Sequence, residues 1–240
     1  MNNENSFETF LYISKKKISI LIWKDDTKDK LYENEFILEN ESINSELSQL
    51  DKFLSSNILQ IEKHLKRFIK KIILIIDHEE PFKIKLSLKK KNYGNFLNDK
   101  SLGLLLKDAR SQIKENYNDK VIAHMIIDKY LVDENSFTSL PGNIKFDNLS
   151  LEINFVCYSK DLFNEFKKKL ANYHIEIKQI LSASYMREYF SNNENEKDKK
   201  MDIFSMSQKI IDGHNNNEIL LVQKTRKNEG FFEKFFNFFS

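Results

Sequence analysis

The sequence predicts an α+β protein, with strands and helices in succession and the helices gathered on one face of a sheet. Three patterns predict it. Apolar and polar residues alternate over 82–89 and 149–155, the period of a half-buried strand. Between 47 and 68 apolar residues recur at steps of three and four, the period of an amphipathic helix. Residues 72–76 form an unbroken aliphatic run, too short for a helix and suited to a strand buried on both faces. The 240 residues are 40% hydrophobic and 31% charged, a globular composition with length for one large domain or two small ones.

Residues 13–23 alternate around the basic turn Lys15-Lys16-Lys17 and read as a strand pair or one long strand. Residues 25–30 read as a charged turn and 31–38 as a further strand. The helix that follows carries Leu47, Leu50, Leu54, Ile58, Ile61, Leu65 and Phe68 in one stripe. Ser45 is its expected cap, and Lys70-Lys71 suit the negative end of its dipole. After Pro81, Phe82, Ile84, Leu86 and Leu88 face one way and Lys83, Lys85, Ser87 and Lys89 the other. Ser101 opens a second helix, with Leu102, Leu105, Leu106, Ala109, Ile113 and Tyr117 on one side. Residues 121–132 read as a strand and 133–148, with Pro141-Gly142, as a long turn region. A strand over 149–155, a helix over 161–172 and a last strand over 175–180 complete the series. The stretch 191–200, nearly all Ser, Asn, Glu, Asp and Lys, reads as a linker. Residues 203–211 read as a helix broken by Asn215-Asn216-Asn217, and 218–222 suit an edge strand.

Lys224, Arg226 and Lys227 precede a run in which Phe231, Phe232, Phe235, Phe236, Phe238 and Phe239 alternate in pairs with polar residues. At ~100° per residue these six rings fall in an arc of about 160°, and Glu233, Lys234, Asn237 and Ser240 fill the opposite arc. Such a one-sided helix suits a membrane surface. Partial insertion of six Phe rings supplies on the order of 5–10 kcal/mol before ordering costs. Basic residues near anionic lipid add about 1 kcal/mol each. The same face would also serve to dock a terminal helix on the protein's own core.

Several chemistries are excluded by composition. The 5 glycines, Gly94, Gly103, Gly142, Gly213 and Gly230, never fall within six positions of one another. Walker, dinucleotide and kinase phosphate loops all need at least two glycines that close, because only Gly lets the backbone amides close tightly on phosphate. The net charge of +2 gives no nucleic-acid signature. His64, His78, His124, His174 and His214 stand apart in sequence, and His78-Glu79-Glu80 read as a charged turn. Cys157, beside Val156 and Tyr158, reads as a small core residue. Lys89-Lys90-Lys91 with Tyr93 and Phe96 form a candidate RNA-stacking loop, weighed against a solvated strand end. No catalytic set, cofactor site or metal site emerges. One cysteine, a polar start and no long apolar run predict a cytoplasmic protein.

The stretch Val121-Ile122-Ala123-His124-Met125-Ile126-Ile127-Asp128-Lys129-Tyr130-Leu131-Val132-Asp133 is followed by Leu140-Pro141-Gly142 and then Leu149-Ser150-Leu151-Glu152-Ile153. This resembles the actin-like bacterial cell-division family of FtsA, and the resemblance extends over about 72–184. It implies a reduced relative: part of a first actin-like subdomain (1–80), an inserted strand-helix-strand-strand (SHS2) module (81–181), a helix end with flexible linker (182–228) and a membrane-targeting helix (229–240). The family's first phosphate loop corresponds to Leu11-Tyr12-Ile13-Ser14-Lys15-Lys16-Lys17-Ile18, with Tyr12 at the acidic position and Ser14 at the glycine. The second actin-like half, which would complete an ATP site and carry the groove for FtsZ, has no counterpart here.

The resemblance implies a non-enzymatic adaptor at the inner face of the inner membrane, holding anionic lipid through the tail and meeting division proteins through the SHS2 module. Self-association is a further contact it allows. Two other functions are carried alongside. One is a scaffold of pilus or secretion assembly of the PilM type. The other is an actin-like ATP-binding protein completed by another chain.

Overall fold

The computed structural model of the chain describes residues 7–24, 27, 29–38, 43–96, 99–141, 145–193, 201–219 and 221. These residues form a mixed α/β structure with two sheets, not one, and fall into two compact units. The first comprises 1–80 and 162–209, the second 81–161 and 210–240.

The first unit opens with a hairpin, β1 (Phe7–Ser14) and β2 (Lys17–Lys24), so the strand pair expected over 13–23 turns at Lys15-Lys16, but its first strand begins at Phe7, ahead of the expected stretch. β3 (Lys30–Ile37) pairs antiparallel with β2. α1 (Ile43–Leu65) follows, and Leu50, Leu54, Ile58 and Ile61 are buried on it as the stripe predicts. Two expectations for this helix are corrected. It begins before Ser45, which lies inside it, and it ends at Leu65 because Lys66 takes the left-handed conformation at φ 53°. Lys70 and Lys71 therefore lie beyond the helix, and Phe68 leaves the stripe and is 76% exposed. Asn57, buried in mid-helix, accepts hydrogen bonds from Tyr32 Oη and Asn34 Nδ2 of β3, each at 2.7 Å.

β4 (Lys71–Asp77) lies parallel to β1, and its five aliphatic residues are all buried. Burial of each is worth about 1.5–3 kcal/mol, which is why so short a run holds the centre of the sheet. The chain returns to this sheet after the second unit. α3 (Lys160–Ala171) leads into β9 (Glu176–Ser182), which pairs parallel with β4, giving the order β3-β2-β1-β4-β9. The strand expected over 175–180 thus completes the first sheet and takes no part in the second. α4 (Ala183–Asn193) and α5 (Ile203–Ile211) follow, the former covering the start of the expected linker.

The second unit is β5 (Phe82–Phe96), α2 (Asp99–Asn116), β6 (Lys120–Val132), β7 (Asn135–Phe137) and β8 (Lys145–Ser159), all antiparallel in the order β5-β8-β6-β7. Leu102, Leu106, Ala109 and Ile113 of α2 pack with Leu151, Ile153 and Phe155 of β8 in one core. The region expected as one long turn is tighter. β6 and β7 join through Asp133-Glu134, both at positive φ as a two-residue hairpin loop of mirror-image type requires, and β8 has begun by Lys145. Asp133 accepts hydrogen bonds from the backbone of Asp147 and Asn148, which hold its carboxyl below the usual range.

The expected edge strand is present as a single bridge. Ile127 N donates to Asn217 O at 2.9 Å and Ile219 N to Met125 O at 2.8 Å, so 217–219 lie along β6. Lys224, Arg226, Lys227 and the six tail residues Phe231 to Phe239 lie outside the described residues.

Candidate functional site

In the first unit, β1 and β4 run parallel with Ser14 in register with Asp77, and Ser182 closes the neighbouring strand β9. The carboxyl ends of three strands therefore meet at one place, the position where open α/β sheets bind ligands. Three side chains converge on Asp77. Arg187, from the first turns of α4, grips it with both guanidinium nitrogens, Nη1 lying 2.7 Å from Oδ1 and Nη2 against Oδ2. Tyr12 Oη donates to Oδ2 as well. Burial, then the bond to Asp77, pushes the Tyr12 hydroxyl up to about 12, so it stays a donor at any physiological pH. The bond to Asp77 likewise raises the Arg187 guanidinium.

The β1–β2 turn closes on itself. Ser14 Oγ accepts from Lys17 N at 3.0 Å and Lys16 N at 3.3 Å and donates to Lys17 O. A phosphate-binding loop needs such amides aimed outward at an anion. Here a serine hydroxyl takes them, at the position where the resembled family has glycine. Ser182 performs a similar task for α4, its Oγ lying 3.4 Å from Tyr185 N as an N-cap. Both Asp77 oxygens are engaged, which leaves this carboxylate an ion-pair clamp between β1, β4 and α4.

Next to the clamp, His78 lies in the turn expected of His78-Glu79-Glu80, between β4 and β5, with its side chain buried. It is 4% exposed, its ring edge-on to Phe166 at 5.7 Å, and burial pushes its pKa down to about 4. At the opposite end of the same strands a cleft of about 710 Å³ opens beside Leu59, Phe68 and Tyr173. Glu62 and Glu176 both line it, and Glu62 accepts from Ile69 N at 3.0 Å.

In the second unit, His124 and Glu218 are both buried and lie 2.6 Å apart, Nδ1 to Oε1. His124 therefore has a partner that its sequence neighbours do not reveal. Cys157 is buried in the core as expected, with its thiol pushed up to about 12 by burial. His64 is exposed on α1, as expected for a helix surface. Among the described residues no group of three or more His, Cys, Asp and Glu side chains could hold a metal ion. No helix among them is long and apolar enough to cross a membrane.

Asp77 and Arg187 were not legible as a pair. Asp77 follows the aliphatic run directly, the one local signal of a strand end. Arg187 is 110 residues away and carries none.

No protein-family profile matches the chain, and no curated protein matches it. Solved structures do. The chain is similar to the PilM–PilN type IV pilus biogenesis complex at 8% identity, covering 78% of this chain and 50% of that one, with a TM-score of 0.46. It is similar to the cytoplasmic domain of EpsL, an inner-membrane component of the type II secretion system of Vibrio cholerae, at 10% identity, 75% and 59% coverage and a TM-score of 0.34. It is similar to a Bacteroides thetaiotaomicron protein of actin-like ATPase fold and unknown function at 14% identity, 80% and 59% coverage and a TM-score of 0.36. Each likeness is one of fold. The chain spans between 50% and 59% of the length of these structures.

Proposed function

We propose that the chain is a non-enzymatic scaffold with a degenerate actin-like first subdomain, bound to the inner face of a membrane and serving a multiprotein assembly. The observation that carries this reading is the filled strand end. Asp77 is held by Arg187 and Tyr12, and the turn amides of Lys16 and Lys17 are taken by Ser14. A group that binds triphosphate presents free amides and a free carboxylate at this place. Titration calorimetry of the chain with ATP and Mg²⁺ tests it. The expected result is no heat of binding up to millimolar nucleotide, and micromolar affinity would instead establish the ATP-binding protein completed by a second chain.

Attachment is assigned to Lys224, Arg226, Lys227 and the face formed by Phe231, Phe232, Phe235, Phe236, Phe238 and Phe239, with anionic lipid as the partner. Sedimentation with phosphatidylglycerol vesicles should pellet the full chain and leave a form truncated after Asn228 in the supernatant. Equal pelleting of the two refutes the attachment.

For the assembly served, pilus or secretion machinery of the kind named by two of the solved structures is the first reading. Cell division is the second, favoured by the resemblance over Val121 to Ile153, where the SHS2 module expected over 81–181 would act toward divisome proteins. A fluorescent fusion separates them. Foci at poles or envelope machines support the first, and a midcell band supports the second.

A further inference from the structure

β5 is the outermost strand of the second sheet, 15 residues long, and among the described residues β8 is its only strand partner. Every second residue of such a strand turns its backbone N–H and C=O away from the neighbour, leaving a row of donors and acceptors along one edge. The side chains are as informative as the backbone. Alternation gives β5 one face toward the core, where Leu88 is buried, and one exposed face carrying Lys83, Lys85, Ser87, Lys89 and Lys91. With Lys90, five lysines occupy nine consecutive positions of one edge strand, in a chain whose net charge is only +2.

Lysine on an edge is also the usual protection against pairing with other strands. Protection and recognition make different demands on the partner. A second copy of this chain pairing through β5 would set lysine opposite lysine, and like charges directly opposite are destabilising. A strand with carboxylates at alternate positions meets the reverse situation: the Cβ atoms of its acidic residues stand about 4.5–5.5 Å from those of opposite lysines on the same face, while its backbone completes the open row. The edge that excludes self-pairing therefore selects an acidic one.

We infer that the outer edge of β5 is a docking site for an extended, acidic segment of a partner protein, joined by strand addition in register with Lys85, Lys89 and Lys91. At either end of the strand an aromatic ring carries a lysine from a neighbouring strand, Lys120 over Phe82 at 4.1 Å and Lys145 over Phe96 at 5.3 Å. The candidate RNA loop noted in the sequence belongs to the same strand. Its lysines alternate faces and Tyr93 sits at a bend with φ 52°, next to Gly94 at φ 70°, so the strand offers a charged rail in place of a stacking platform. This inference is independent of which assembly the chain serves.

The test uses the full chain and a fluorescein-labelled (Glu-Val)₄ peptide, read by anisotropy. The expected result is saturable binding that weakens at least tenfold in Lys85→Glu/Lys89→Glu/Lys91→Glu, and equally when alternate peptide amides are N-methylated. A (Lys-Val)₄ peptide should not bind, and peptide should slow amide exchange over 82–96. The N-methylated peptide keeps the test decisive even where the triple variant misfolds. Equal binding of methylated and unmethylated peptide, binding irrespective of peptide charge, tighter binding of an oligouridylate, or no binding at millimolar peptide would each overturn the inference.

Discussion

Asp77 ties three elements of the first unit together through one carboxylate. Asp77→Asn removes the charge and keeps the shape. Charge-assisted hydrogen bonds are worth about 1.5–3 kcal/mol, but Arg187 is half exposed and screened by solvent. The loss is therefore expected near 1–2 kcal/mol in urea unfolding, with a smaller loss for Tyr12→Phe, which leaves the Arg187 clamp intact. His78, one position on, makes stability depend on pH. Folded, it titrates near 4; unfolded, near its ordinary 6.5. The unfolded chain binds the proton more readily, so stability is full above pH 6.5 and falls as pH drops toward 4, by up to about 3 kcal/mol from this group. Asp77 nearby favours the charged ring and Lys15 opposes it, with burial dominant. Urea midpoints at pH 7.5 and 4.5 should differ less in His78→Gln than in the parent. Cys157 gives a third readout. With its thiol held at about 12 by burial, it should react with a disulfide reagent at pH 8 only after denaturation.

At the scale of elements, the segment 217–219 depends on a side-chain pair as well as on two backbone bonds. Removing one member of a buried hydrogen-bonded pair leaves the other unsatisfied and costs about 1–3 kcal/mol. Glu218→Ala should therefore release the segment from β6, and the amides of Ile127 and Ile219 should lose exchange protection before the rest of the second sheet. Elements were legible in the sequence wherever a pattern was local. Residues 72–76 announced β4 because only a strand buries five aliphatics in a row, and Leu50 to Ile61 announced α1 by their spacing. Ends were less legible. Lys66 stops α1 by adopting a left-handed conformation that nothing in its side chain favours, so Phe68 looked like part of the stripe. Partnerships across distance were not legible at all. Ile175 to Ile180 alternate as any half-buried strand does, and pairing of β9 with β4 is decided by fit over a separation of about a hundred residues. His124 met Glu218 across 94 residues in the same way.

At the scale of the whole molecule, the division into two units is a property of chain path. The first sheet is opened by β1 to β4, interrupted, and finished by β9 after the second sheet has been built. The lysine-lined edge belongs to the interrupting unit and the Asp77 clamp to the interrupted one, and the tail assigned to lipid comes after the strands of both in sequence. The three can therefore be altered one at a time. A form ending after Asn228 should lose vesicle binding while keeping both the far-ultraviolet circular dichroism of the parent and its affinity for the acidic peptide.

The late arrival of β9 has a consequence during synthesis. A ribosome adds roughly 5–20 residues each second, so all four strands of the second sheet emerge while β4 still lacks a neighbour on one side. For those seconds Ile72 to Ile76 present a bare aliphatic border, and a nascent chain stalled near residue 165 should bind a chaperone of exposed apolar surface more avidly than one stalled well after 190.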